Sequence, residues 1–141
     1  MYSPSRDEVR ELFFAAWLGY RVGRPLAGMH ALALDVILQH PEYHDVLEHP
    51  ERSRDKDYVD ESNPFLHMSL HMALEEQLSI DQPPGIRSAW EGLLRRHAGE
   101  RHAALHEALE CLAETMWRAQ RDASPPDAAL YLSCLERRAR A

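Results

Sequence analysis

One stretch, Asn63 to Ile80 (NPFLHMSLHMALEEQLSI), does most to limit what this chain can fold into. Asn63 is a good helix N-cap, because its side-chain oxygen can accept a bond from an unpaired first-turn N–H. Pro64 follows at the first helical position, where a missing N–H costs nothing. Asp81-Gln82-Pro83-Pro84-Gly85 cannot continue the helix. Placed at 100° per residue, Phe65, Leu66, Met68, Leu70, Met72, Ala73, Leu74 and Leu78 cover nearly the whole circumference, and Ser69, Glu76 and Gln77 mark a wet edge. A helix that is apolar almost all round is buried. Yet His67, His71 and Glu75 run along it, and polar groups in an apolar stripe need partners.

The rest of the chain predicts helices only. Ser5-x-x-Glu8 is a capping-box pattern, and Val9, Leu12, Phe13, Ala16, Trp17 and Tyr20 recur at helical spacing over residues 6–21. A second helix is expected from Leu26 to Gln39 with Met29, Leu32, Ala33, Val36 and Ile37 inward, and Pro41 ends it at His40. A short helix at 41–48 precedes a charged loop at 49–62 whose length suggests a covering role. Ile86, Ala89, Trp90, Leu93 and Leu94 mark a helix closed by Gly99. Residues 100–121 form a long helix with Leu105, Leu109, Leu112, Ala113, Met116 and Trp117 on one face. Ser124-Pro125-Pro126-Asp127 caps a last helix carrying Leu130, Tyr131, Cys134 and Leu135. The expected fold is all-α: an up-and-down helical bundle of four main helices plus short accessory helices, a single domain over residues 1–141.

Charge and composition narrow the function classes. A formal net charge of −7 argues against a nucleic-acid partner, which requires a basic face. No apolar run approaches the ~20 residues that span a bilayer, and MYSPSRDEVRELFF has early acids and no apolar signal core. Cys111 and Cys134 form no C-x-x-C, which suits two small buried thiols in a reducing cytoplasm.

Histidine is the chemistry-bearing residue. His40/His44/Glu48, His67/His71/Glu75 and His102/His106/Glu110 all read H-x3-H-x3-E. At the chain's histidine frequency, chance gives roughly half an H-x3-H pair, against three present. Residues i and i+4 share a helix face, so two imidazoles can meet one cation, and a carboxylate one turn on can ligate or orient a histidine. The candidate ligands are His67, His71, His102 and His106, followed by Glu75, Glu110 and His44. His102 and His106, near Ala113 and Trp117 on the helix surface, are expected to point inward. Pro41 breaks the register between His40 and His44, and His30, His49 and His97 read as structural or surface residues. There is no H-E-x-x-H, no Glu-x-x-His ahead of any histidine and no G-x-S-x-G, which excludes zincin, ferritin-type and nucleophile-elbow readings. A divalent ion, zinc or iron, is the expected cofactor, held between the 63–80 and 100–121 helices; imidazole suits copper and nickel as well. The competing reading is a non-catalytic interaction or oligomerisation module whose histidines bond each other and glutamate. Substrate, partner and oligomeric state, homo-oligomers included, are open.

The segments LAGMHALALDVILQHPEYH, NPFLHMSLHMALEEQLSIDQPPGIR, HAALHEALECLAETMWRAQR and PPDAALYL resemble the bacterial domain of unknown function 1841 family over nearly the whole chain. The resemblance implies a small cytoplasmic helical protein and lends no activity. Through His67-x3-His71-x3-Glu75 and His102-x3-His106 the chain is also loosely similar to hemerythrin-like and DinB-like bundles, which implies only a metal among helices.

Overall fold

Helix signals dominate the sequence, and the computed structural model, which describes residues 5–59 and 62–141, is helical with no strand among those residues. In order it has α1 (Arg6–Arg21), α2 (Gly28–Leu38), a 3₁₀ turn (Pro41–Tyr43), α3 (His44–Glu48), α4 (Pro50–Ser53), α5 (Pro64–Ile80), α6 (Ile86–Arg96), α7 (Arg101–Arg121) and α8 (Ala128–Arg140). The all-α class holds. The count of four main helices is approximate, since α2 and α6 reach 11 residues each. Among the described residues, no helix is long and apolar enough to cross a membrane. The leader reading of the first residues rests partly on positions 1–4, and the loop reading of 49–62 includes 60 and 61; these positions lie outside the described residues. Within that loop, Pro50 starts the short helix α4.

Caps set the helix starts where the sequence places them. The Ser5 hydroxyl accepts from the Glu8 N–H at 3.2 Å. Asn63 Oδ1 accepts from the Phe65 and Leu66 N–H groups at 3.0 and 3.1 Å, which fixes the start of α5. Asp127 Oδ1 accepts from the Leu130 N–H at 3.0 Å. The helix ends share one device. In α1, α5, α6 and α7 an N–H beyond the helix bonds a carbonyl five residues back: Arg24 to Gly19, Gln82 to Gln77, Gly99 to Leu94 and Ser124 to Ala119. Each such cap needs a left-handed residue just before that N–H. Gly23 supplies it after α1, but Asp81, Ala98 and Ala123 do so elsewhere, at φ 52°, 55° and 49°.

The chain divides into two compact units, Met1–Met72 and Ala73–Ala141, and the division falls within α5. In the first, Phe13, Phe14, Trp17, Val36, Ile37, Leu47, Phe65, Met68 and Met72 form a buried apolar cluster, with Val9, Leu12, Leu32 and Tyr58 packed against it. Met29, expected inward, is 50% exposed, because α2 starts only at Gly28 and its inward face begins near Leu32. Arg10 is 2% exposed. Its Nη1 donates to the Ser53, Arg54 and Lys56 carbonyls at 2.8, 3.0 and 2.8 Å, and its guanidinium lies over the Tyr58 and Phe65 rings. Burial, and then the Arg6 charge, lower its proton affinity from the ordinary arginine range.

In the second unit α6 packs on α7 and α8, and α7 on α8. The buried face of α7 is Ala104, Leu105, Ala108, Leu109, Cys111, Leu112, Thr115 and Ala119. The sequence reading placed Ala113, Met116 and Trp117 on that face, and the structure corrects it: Ala113 is exposed, Met116 is 37% exposed and Trp117 52%. The buried stripe is rotated toward Ala104, Ala108, Cys111 and Thr115, small side chains beside which a neighbouring helix can approach closely. The thiols are also corrected. Cys111 and Cys134 form a disulfide between α7 and α8. A 23-residue separation gives a loop whose closure removes about 3 kcal/mol of unfolded-chain entropy. Disulfides persist in oxidising surroundings, so the argument from free thiols to a reducing compartment falls away. Tyr131, buried on α8, donates its hydroxyl to Gln77 Oε1 at 2.8 Å, and burial pushes its phenol well above the ordinary range.

Two measurements check this arrangement. Leu74→Ala, at a fully buried position, is expected to cost about 2–5 kcal/mol in chemical denaturation, whereas Trp117→Ala costs below about 1 kcal/mol; equal losses would contradict the orientation of α7. Ala98→Gly and Ala123→Gly relieve a left-handed alanine and are each expected to stabilise by about 0.5–1 kcal/mol; a destabilised variant would contradict these caps.

Candidate metal centre

The centre builds up from the end of α2. His40 precedes Pro41, which keeps it out of the helical region, at φ −130° and ψ 68°. Its ring turns back along the helix, and Nδ1 lies 2.8 Å from the Val36 carbonyl oxygen. A carbonyl only accepts, so Nδ1 carries the proton, and on the neutral ring Nε2 presents a lone pair. That Nε2 lies 2.9 Å from His67 Nε2. The Asn63 cap fixes the phase of α5, and one turn beyond His67 the fully buried His71 ring meets His40 edge to face at 5.2 Å. Tyr43 stacks on His40 at 5.4 Å and meets His67 at 5.9 Å. Burial, and then the Glu42 charge, raise the Tyr43 phenol's pKa. Three imidazoles and a phenol therefore share one largely apolar corner of the first unit.

The other candidate ligands lie as follows. His44 Nε2–H donates to the Ile37 carbonyl at 2.9 Å, and its ring packs on Trp17 at 4.4 Å. Glu48, one turn on, accepts from Trp17 Nε1 at 2.7 Å and pairs with Arg21 at 3.0 Å. The His40/His44/Glu48 set is thus dispersed by the 3₁₀ turn that Pro41 starts. In the second unit the His102 and His106 rings lie 4.2 Å apart between centroids, tilted at 55° to one another. His102 is exposed, which corrects the expectation that it points inward, whereas His106 is half-buried with its Nε2 enclosed. Glu75 pairs with Arg101 at 2.9 Å, and the exposed Glu110 pairs with Arg138. His97, read as a structural or surface residue, bonds Glu107.

The residue missing from the candidate ligands is His40, which shares the H-x3-H-x3-E spacing but is set aside because of Pro41. The H-x3-H rule assumes one continuous helix, and Pro41 removes that assumption. The signal that could have found it is the pair Val36–His40: a ring four residues after a buried apolar residue, where its Nδ1–H reaches back to the last turn's carbonyl.

No curated protein and no solved structure matches this chain. A family model described as a domain of unknown function (DUF1841) matches residues 5–137. The match spans nearly every described element, from the Ser5 cap to the last turns of α8, and the chain belongs to that family.

Proposed function

We propose that this protein binds a divalent metal ion through His40 and His67, with His71 as the adjoining imidazole. The observation that supports this reading is the 2.9 Å approach of two Nε2 atoms, one of them aimed by a carbonyl on its far nitrogen. A histidine ligand commonly donates its other N–H to a carbonyl or carboxylate, which fixes tautomer and ring direction; the Val36 carbonyl does this for His40. Two nitrogens bound tetrahedrally at about 2.0–2.1 Å from zinc stand roughly 3.3 Å apart, so this pair needs to open by only a few tenths of an ångström. Imidazole donors favour zinc, iron, copper or nickel over magnesium or calcium. A bound ion with an open position would supply Lewis acidity or an activated water. His102 and His106 form an i, i+4 donor pair of their own and belong to the same proposal. Glu75, Glu110 and His44 stand behind them, since each gives up an ion pair or a carbonyl bond in order to ligate.

A specific observation also favours the competing reading, a non-catalytic module with structural histidines: 2.9 Å is an ordinary N–H···N hydrogen-bond length. Elemental analysis separates the two, on protein purified without affinity tag or chelator. Under the metal reading a stoichiometric ion is present, and chelator lowers the melting temperature. Metal at 100 times its Kd is worth about 2.7 kcal/mol of stability. His67→Gln and His40→Gln each lower metal content, and His30→Ala, at an exposed position on α2, behaves as the unsubstituted protein. Absence of metal together with indifference to chelator would establish the structural reading.

A further inference from the structure

Several kinds of contact besides the disulfide hold α8 on the second unit. It packs on α6 and α7, and its Tyr131 and Leu135 are 3% and 1% exposed. Asp127 caps its first turn, Tyr131 bonds Gln77, and Arg138 pairs with Glu110 of α7. The Cys111–Cys134 bond joins the same two helices as that ion pair, one turn of α8 earlier.

The two sulfurs differ in access. Cys111 faces inward on α7 at 0% exposure, whereas Cys134 is half-buried, on a stretch of α8 where Ser133, Glu136 and Arg137 are exposed. Thiol–disulfide exchange begins with a thiolate attacking one of the two sulfurs, and access helps to decide which. Arg137 lies one turn beyond Cys134 and turns its Nε–H back to the Ser133 carbonyl at 3.4 Å. That places a positive charge near Cys134, where it stabilises negative charge on the sulfur.

We propose that Cys111 and Cys134 are a redox-active pair, which exchanges two electrons with external dithiols and disulfides through Cys134. One thiolate of the dithiol attacks Cys134 Sγ. The bond to Cys111 breaks, and its electron pair leaves on Cys111 Sγ, which takes up a proton. The second sulfur of the dithiol, as thiolate, then attacks the first in the mixed disulfide and releases Cys134 as thiolate. The dithiol ends as a disulfide, and the chain carries two reduced cysteines. The reverse reaction, with an external disulfide as oxidant, restores the bond. α8 stays docked in both states, because its cap, its buried side chains and its bonds to Gln77 and Glu110 do not involve sulfur. A staple differs from such a pair, since reducing a staple releases the elements it joins. The inference is independent of metal binding, as neither cysteine is among the proposed ligands.

Dithiothreitol without denaturant tests it, followed by maleimide labelling and mass spectrometry. The unsubstituted chain, which has no free cysteine to begin with, is expected to gain two labels. Reduced, it should keep its helical circular dichroism spectrum and melt cooperatively at a lower temperature. Oxidised glutathione should then restore the unlabelled form. Cys111→Ser leaves Cys134 alone, and that thiol should react with an aromatic disulfide in the native state. Cys134→Ser leaves Cys111, which should stay unreactive until the chain is denatured. Labelling of the unsubstituted chain only in denaturant overturns the inference, as does loss of the helical signal on reduction. Equal native reactivity of the two variants overturns the role given to Cys134.

Discussion

The first unit depends on a cation in the wrong place. Arg10 lies one turn from the buried Phe13 and Phe14 on α1, and is itself 2% exposed. Taking such a charge out of water is costly unless its donors are met. Three carbonyls of residues 53, 54 and 56 meet Nη1, and two aromatic rings flank the group. These are charge-assisted bonds, stronger than neutral ones. They hold a segment with no apolar periodicity of its own against α1. Arg6 to Asp57 and Arg54 to Glu11 fasten the same segment from the surface, where such pairs add little individually. The seating of Tyr58 beside Phe65 at the start of α5 follows from this anchoring.

Helix existence was legible in the sequence and helix facing only partly so. Capping chemistry is local, so Ser5, Asn63 and Asp127 read correctly from their own neighbourhoods. The buried face of α7 did not. Ranking by side-chain size puts Trp117 and Met116 inward, whereas a packed helix pair selects by closeness of approach and turns Ala104, Ala108 and Ala119 inward instead. α5 was easier, because it has few outward positions to confuse: Glu76, Ser79 and Ile80 are its exposed residues. Disulfide pairing depends on the distance between two helices, which spacing along the chain does not carry; hence Cys111 and Cys134 read as separate thiols.

The candidate centre was half legible for a similar reason. His67 and His71 share a helix, and i, i+4 spacing brings them to one face. His40 reaches them only because the chain folds back after α2, and because a proline holds its backbone out of the helical region. A break in periodicity counts against a residue in sequence reasoning. Here the break frees the ring to reach its own helix's last carbonyl and to present its other nitrogen sideways.

The bond between Cys111 and Cys134 makes part of the second unit a covalent ring. The ring contains the later half of α7, the connection at residues 122–127 and the first half of α8. A single backbone cut in that connection would leave one molecule of nearly unchanged mass, with α8 still tethered in place. The connection is therefore the position at which new chain ends, or an inserted sequence, ask least of the remaining packing, and the tether rather than the peptide link keeps α8 with its neighbours.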